Sequence, residues 1–131
     1  MKSKVLVKKH IKQKYSVLMV LMLLFNNNNF CLASTAKLKE ADYVKAYCKG
    51  VIEYELPDKT RVDCLTDEYA IEFDWAKKWA ESIGQSLYYS KITGKQPAVA
   101  IIIKSSKDMK YIERIRKACS DIKIFIIKTP E

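Results

Sequence analysis

The sequence predicts one α/β domain built on a mixed β-sheet and preceded by a signal peptide. Over residues 34–131 the predicted elements follow the order helix, three strands, helix, strand, helix, strand. Residues 98–104, AVAIIIK, are almost wholly apolar, which is typical of a central strand covered on both faces. One helix precedes this strand and another precedes residues 122–127, so we expect both strands to join the sheet through helical crossovers.

A helix and a three-strand meander make up the first half of the predicted domain. Helix-forming composition over residues 35–48 predicts a helix that ends before Gly50. Three segments with strand-like patterns follow, and turn-forming residues at 57–59 and 66–68 separate them. The buried stripe of the helix is expected to consist of Ala41, Val44, Tyr47 and Cys48. The strands are VIEYEL at 51–56, expected to be half exposed, TRVDCL at 60–65 and YAIEFDW at 69–75.

Two further helices and two strands are predicted for the second half. Residues 75–91 favour a long helix that ends before Gly94. Ser105 or Ser106 is expected to cap the third helix, which reaches about Ser120. Its inner stripe is expected to consist of Met109, Ile112, Ile115 and Cys119. The strands at 98–104 and 122–127 complete the sheet.

The first 33 residues have the layout of a secretory signal peptide. Six lysines and no acidic residue precede residues 16–25, which form the apolar run SVLMVLMLLF. This run is about half of the roughly 20 residues that a membrane-spanning helix needs. The pattern predicts cleavage after Ala33, or else after Ala36, and release into the periplasm or the medium. An uncleaved membrane anchor is the alternative.

Loss of this segment would change both the charge and the chemistry of the chain. The whole chain has 24 basic and 15 acidic residues, and residues 34–131 have 18 and 15, a net charge of +3. Such a small excess is not the charge signature of a nucleic-acid-binding domain. The one histidine, His10, is lost with the signal. The domain would therefore lack Ser–His and Cys–His catalysis and any zinc site that uses histidine.

Three cysteines remain after the signal, namely Cys48, Cys64 and Cys119. In an oxidising compartment we expect one disulfide and one leftover thiol. The expected bridge is Cys48–Cys64, which would join the first helix to the second strand. Three buried thiols that pack as small apolar groups are the alternative.

Carboxylates from two neighbouring strands are expected to converge. Alternate residues of a strand point to the same face, so Glu72 and Asp74 share a face opposite to Phe73. Asp63 ends the preceding strand, and hairpin pairing would bring it beside Glu72. Like charges in a buried cluster repel each other unless a cation neutralises them. Mg²⁺ or Mn²⁺, which prefer oxygen ligands, would suit Asp63, Glu72 and Asp74.

One face of the following helix is expected to direct polar side chains toward these carboxylates. At about 100° per residue, Lys78, Ser82, Gln85 and Tyr89 lie within roughly 60° of one another, and Lys77 points elsewhere. Lys78 is in the first turn, from which it could orient a water molecule or stabilise charge on a phosphorane. Gln85 and Tyr89 could hold the phosphate or support Lys78.

In these residues the chain resembles the PD-(D/E)xK nuclease superfamily, in its RecB-like form with a Q-x-x-x-Y motif on the helix. The matching residues are Asp63, Glu72, Gln85 and Tyr89. The resemblance is closest to small exported bacterial proteins of unknown function, covers about residues 38–127, and includes the segments DCLT, AIEFD, KWAE and IGQSLYY. It implies a restriction-endonuclease-like fold and Mg²⁺ bound by the aspartate and the glutamate.

The chain departs from the superfamily pattern at one position. The superfamily has a lysine, which activates water, two residues after the glutamate, and this chain has Asp74 there. Some members carry the lysine on the following helix, and Lys78 matches that placement by its face. Asp74 could instead be the N-cap of the helix, because aspartate is among the best capping residues. Lys78 could equally be a solvated surface lysine.

Two hypotheses follow for the function. One is an exported Mg²⁺- or Mn²⁺-dependent nuclease for DNA or RNA, whose catalytic residues are Asp63, Glu72, Lys78, Gln85 and Tyr89. The other is a catalytically inactive domain on the same scaffold, which binds a nucleic acid or a protein outside the cytoplasm. Basic residues on the third helix form either a solvated face or a backbone-binding patch. They are Lys110, Arg114, Arg116 and Lys117.

Overall fold

Helices and strands follow the predicted order within residues 37–130, the part of the chain that the computed structural model describes. The signal peptide predicted at 1–33 lies outside this part. None of the helices in it is both long and apolar enough to cross a membrane. The elements are α1 (Glu40–Tyr47), β1 (Val51–Glu55), β2 (Arg61–Leu65), β3 (Tyr69–Trp75), α2 (Trp79–Thr93), β4 (Gln96–Ile103), α3 (Met109–Ala118) and β5 (Lys123–Lys128). Short 3-10 turns, Ala76–Lys78 and Ser106–Asp108, precede α2 and α3.

The strands form one five-stranded mixed sheet in the order β1-β2-β3-β4-β5. The first three strands pair antiparallel, as the short turns between them allow, and β3, β4 and β5 run parallel. Helices α2 and α3 make the two crossovers between the parallel strands. The predicted mixed α/β sheet with helical crossovers is therefore confirmed.

Strand β4 lies at the centre of the core. Residues 98–103 are all buried because helices cover both faces of the sheet. On one face α1 contributes Tyr43 and Val44. On the other face α3 contributes Ile112 and Ile115. The two-sided burial predicted for this apolar run is confirmed.

Helix α1 buries other side chains than those predicted. Tyr43 and Val44 are buried, whereas Ala41 and Tyr47 are exposed and Cys48 is only partly buried. Two consecutive residues make the contact because the helix has only eight residues and meets the sheet through a small area. The predicted stripe was therefore wrong for Ala41 and Tyr47.

Strand β1 is an exposed edge of the sheet. All its residues are exposed, so the half-exposed strand predicted at 51–56 was wrong for 51–55. No buried cluster in the described part of the chain includes them. The strand follows Gly50, where a Cβ would stand 2.1 Å from the carbonyl oxygen of Leu65, so only glycine fits. Glu53 has φ 54°, a left-handed conformation that is rare outside glycine.

Helix α2 starts later than predicted, at Trp79, because the chain first makes a 3-10 turn. The N-cap residue of α2 is Lys78, so the interpretation of Asp74 as N-cap was wrong. Asp74 Oδ1 instead accepts a hydrogen bond from the N–H of Trp75 at 2.8 Å. The helix ends as predicted at Gly94, which has φ 70°.

The serine cap predicted for the third helix is found at the 3-10 turn before it, whereas the N-cap residue of α3 itself is Asp108. Ser105 and Asp108 form a capping box around the 3-10 turn that leads into α3. Ile112 and Ile115 are fully buried, and Met109 and Cys119 pack against them partly exposed. The predicted inner stripe of this helix is confirmed.

Candidate functional site

Strands β2 and β3 separate where the carboxylates are. Their backbone pairing covers Cys64 with Ile71 and Leu65 with Ala70. Beyond this point a side chain bonds to β3 in place of the backbone, because Asp63 Oδ2 accepts a hydrogen bond from the backbone N–H of Phe73 at 2.8 Å. Asp63 is thereby held against β3, next to the two acidic residues of that strand.

Glu72 and Asp74 lie on the face of β3 that α2 covers. Glu72 is 6% exposed and Asp74 is 2% exposed, because each sits beside an apolar residue of β4, Val99 or Ile101. The alternation of the strand predicted this common face. Burial of two carboxylates among aliphatic side chains is costly unless they find partners.

Glu72 has an unsatisfied oxygen. Its Oε2 is buried and has no hydrogen-bond partner. Burial, together with the charges of Asp63 and Asp74, raises the pKa of Glu72 to about 9. Burial also raises the pKa of Asp63, to about 6, although its hydrogen bond from Phe73 opposes this. Without a cation, Glu72 therefore keeps its proton at neutral pH, whereas Asp63 only loses its proton less readily than a solvated aspartate does.

Glu40, the first residue of α1, adds a fourth carboxyl group. Burial, together with a hydrogen bond with Asp74, raises its pKa to about 7. The pKa of Asp74 is raised by burial too, so this pair retains a proton more readily than two solvated acids would. The sequence did not suggest Glu40, although its spacing of four residues from the predicted core residue Val44 places both on one helical face.

Lys78 reaches the acids from the 3-10 turn. Its Nζ lies 3.6 Å from Asp74 Oδ1, and its side chain is about half exposed. The charge of Asp74 raises the pKa of Lys78, so the amine stays protonated at neutral pH. Lys77 makes no ion pair in the described part of the chain, so the structure joins Lys78 and not Lys77 to the acids.

Gln85 and Tyr89 contact each other on α2. The hydroxyl of Tyr89 donates a hydrogen bond to Gln85 Oε1 at 3.3 Å, and Gln85 Nε2 donates to Glu81 at 3.4 Å. Burial, together with the nearby charge of Glu72, raises the pKa of Tyr89 to about 12. Tyr89 is thus a neutral donor beside Glu72. Neither side chain is hydrogen-bonded to Lys78 in the described residues, so neither supports it directly.

The acids do not form a ready three-ligand metal site. In residues 37–130 no three Asp, Glu, His or Cys side chains are close enough together to hold a metal ion as they stand. Mg²⁺, however, is commonly bound by one or two carboxylates and keeps several water molecules. The orphaned oxygen of Glu72 and the carboxylate of Asp63 fit a cation of that kind by their chemistry.

The predicted disulfide between Cys48 and Cys64 is present. It joins the end of α1 to the strand that carries Asp63, so it also restrains the helix that carries Glu40. Cys119 is a free, partly buried thiol on the opposite side of the sheet. A disulfide is compatible with an exported protein, because such bonds persist in oxidising compartments.

Comparison with known proteins does not assign the chain to a family. No family model matches it, and no curated protein and no solved structure matches it either. The geometry of the acidic site is therefore the basis on which a function is assigned.

Proposed function

We propose that the chain is an exported nuclease of the PD-(D/E)xK type, which uses Mg²⁺ or Mn²⁺ to hydrolyse phosphodiester bonds of DNA or RNA. The observation that carries the proposal is the buried, unpartnered oxygen of Glu72 beside Asp63, Asp74 and Glu40. Four carboxyl groups in one place favour a cation, because without one they must hold protons or repel each other.

The fold supports this proposal. An antiparallel meander that continues into parallel strands, with a helix before it and crossover helices after it, agrees with a restriction-endonuclease-like core. The acids lie where the backbone pairing of β2 and β3 ends and the side chain of Asp63 bonds the N–H of Phe73 instead. Export to the periplasm or the medium is part of the proposal, since the disulfide fits an oxidising compartment.

Asp63 and Glu72 would hold the cation, with Asp74 next to them. When bound, the cation would polarise the phosphodiester and lower the pKa of a water molecule. Asp63 is already oriented by the N–H of Phe73, so one of its oxygens has a fixed position before any ligand arrives. Two protein carboxylates are sufficient in this scheme, because substrate phosphate and water complete the coordination of Mg²⁺.

Lys78 would stabilise negative charge rather than remove a proton. Its pKa is raised by Asp74, so it is a poor base at neutral pH and a persistent cation. Placed 3.6 Å from Asp74, it brings a positive charge to the strand position where the superfamily has its lysine. The phosphorane that forms during hydrolysis is the group that such a charge would stabilise.

Gln85 and Tyr89 would orient the substrate. Tyr89 keeps its proton because burial and the neighbouring acids raise its pKa to about 12. The phenol of Tyr89 has one O–H, which it donates to Gln85 Oε1 at 3.3 Å, and substrate binding would redirect this hydrogen bond to a phosphate oxygen.

The test is a cleavage assay on the full chain, purified in the form that the cell produces. Single-stranded and duplex DNA and RNA should be cut with Mg²⁺ or Mn²⁺ and not with EDTA. Asp63→Ala, Glu72→Gln and Lys78→Gln should each lower the rate by roughly 100-fold or more, because each removes a group that contacts the reacting atoms. Exposed Asp67→Asn and Lys91→Gln are the matched controls. Cleavage that persists in EDTA or in Asp63→Ala would refute the proposal.

A catalytically inactive scaffold that binds a nucleic acid or a protein is the second candidate. Two observations favour it: Asp74 stands at the usual lysine position, and the described residues contain no ready three-ligand set. Metal titration distinguishes the two candidates, because a ligand that binds only the folded state raises the melting temperature. If Mn²⁺ leaves the melting temperature unchanged and no cleavage occurs, the inactive scaffold is the better description.

A further inference from the structure

The charges of the domain are separated along the chain. Residues 51–72 contain seven acidic and two basic residues, whereas residues 104–117 contain six basic and two acidic ones. The net charge of +3 is therefore a balance between an acidic hairpin and a basic helix. Because binding to a polyanion depends on the local field, the distribution matters more than the sum.

Four basic side chains share one side of α3 and the turn before it. They recur at intervals of three, four and three residues, so they lie on one helical stripe about 15 Å long. All four are exposed, and Ile112 and Ile115 point away from them into the core. We call these residues the basic stripe: Lys107, Lys110, Arg114 and Lys117.

The basic stripe keeps its charges free for a ligand. None of its members is in an ion pair within the described part of the chain, and Glu113 pairs instead with Arg116 on another side of the helix. Tyr111 holds two of the cationic groups nearby: Lys110 Nζ lies 5.0 Å and Arg114 Cζ lies 5.3 Å from its ring centroid. Cation–π contacts of this kind restrain the side chains without neutralising them.

Two further lysines lie near the ends of β3 and β4. Lys104 follows the end of β4, and its Nζ lies 4.8 Å from the ring centroid of Trp75. Lys104 and Lys77 line one cleft of about 90 Å³, with Trp75 and Asp108 as part of its wall. Trp75 follows Asp74 along β3 and points to the opposite face of the sheet, so the backbone of β3 separates this cleft from the acidic site.

We infer that the basic stripe, with Lys104 and Lys77, binds the phosphate backbone of a nucleic acid. Four charges over about 15 Å approach the linear charge density of one strand, which has a phosphate about every 3.4 Å of helix rise. A membrane surface fits less well, because interfacial helices need apolar anchors. The exposed large apolar residues lie elsewhere among the described residues, and none falls between 93 and 125. The inference that the bound strand continues to the acids rests on the proposed nuclease function. The inference that the strand binds the basic stripe does not.

Fluorescence anisotropy in EDTA tests the binding separately from cleavage. The probes are a labelled single-stranded oligonucleotide of about 20 nucleotides and the same sequence as a duplex, titrated with the full chain as purified from cells. The variant is K107Q/K110Q/R114Q/K117Q. Its Kd should rise about tenfold or more at about 50 mM NaCl, and the slope of log affinity against log salt should fall by about 3, because four phosphate contacts are lost.

A matched variant removes four exposed lysines elsewhere, K45Q/K49Q/K91Q/K123Q, and should leave the Kd almost unchanged. The charge-preserving variant K107R/K110R/K117R should bind like the wild type. An unchanged Kd in the stripe variant, an equal loss in the matched variant, or binding to phosphatidylglycerol vesicles without binding to either oligonucleotide would overturn the inference. A protein that binds in EDTA but never cleaves DNA or RNA would refute only the proposed nuclease activity.

Discussion

At the scale of single residues, Glu72 is the acid whose burial makes its negative charge most costly. Its carboxyl lies among aliphatic side chains of β4, one oxygen lacks a partner, and three other acids are near. When Glu72 ionises in this environment it destabilises the fold, and a bound cation would offset that cost. The pH dependence of stability is therefore a direct probe of the site.

Raising the pH should destabilise the protein in EDTA. The pKa of Glu72 is about 9 in the folded chain against an ordinary 4.5, so the folded state binds more protons between these values. The free energy of unfolding therefore falls as the pH rises through this interval. Thermal denaturation between about pH 5 and pH 9 measures the slope. Glu72→Gln should flatten it.

Asp67→Asn, an exposed change in the turn before β3, should leave that slope as in the wild type. Mn²⁺ should raise the melting temperature most at the alkaline end, where a cation competes least with protons. A slope that is the same in Glu72→Gln and in the wild type would show that this carboxyl does not dominate the titration.

Residue patterns predicted Glu72, Asp74 and Lys78 at this site but did not predict Glu40. The alternation of β3 predicted the common face of Glu72 and Asp74, and helical spacing chose Lys78 over Lys77; both choices follow from local geometry alone. Glu40 was missed because its place depends on how α1 docks against the sheet. The way a helix docks against a sheet cannot be predicted from a local sequence pattern.

At the scale of elements, α1 depends on its attachments. A helix of eight residues is too short to be stable alone, and only Tyr43 and Val44 are buried in it. The disulfide holds its far end to β2, while Glu40 lies at its beginning near Asp74. The bridge therefore keeps an acidic residue at the site as well as stabilising the fold.

Removal of the disulfide should cost about 3 kcal/mol of stability, the value typical of a closed loop of about 15 residues. Cys48→Ser with Cys64→Ser, followed by urea denaturation, measures the loss. The same pair of changes should lower the metal-dependent shift in melting temperature, because α1 would hold Glu40 less firmly. Cys119→Ser is the control. Three alkylatable thiols in the protein isolated without reductant would contradict the presence of the bridge.

Element boundaries were predictable where two signals agreed. Strand β3 was predicted at its observed bounds, because alternation and flanking turns both mark it. The exposure of β1 was not predictable, since a strand's place at the sheet edge depends on the pairing of the whole sheet. The start of α2 was misplaced because a 3-10 turn and an α-helix have similar residue preferences.

At the scale of the whole molecule, β4 joins the two layers of the core. Its side chains alternate between the face under α1 and the face under α2 and α3, and residues 98–103 are buried on both. The site therefore lies beside the buried central strand of the sheet, because Glu72 and Asp74 pair with β4.

Ile101→Ala should destabilise the protein by about 2–5 kcal/mol, because it leaves a cavity in a core that is fully closed at this position. Ile126→Ala is the matched control. It removes the same atoms from the residue paired with Ile101 on β5, where the side chain is 40% exposed. The control should cost less than half as much by chemical denaturation. Equal losses would mean that β4 is not the centre of the core.

The left-handed backbone of Glu53 has a consequence for encounters between copies of the protein. A free sheet edge invites a strand from a neighbouring molecule, and long, straight edges are where fibrils start. Within β1 the positive φ of Glu53 departs from regular strand geometry at the middle of five residues. We expect a visiting strand to pair with no more than the two residues on either side of Glu53. The uncovered edge should therefore be a poor template for fibril growth.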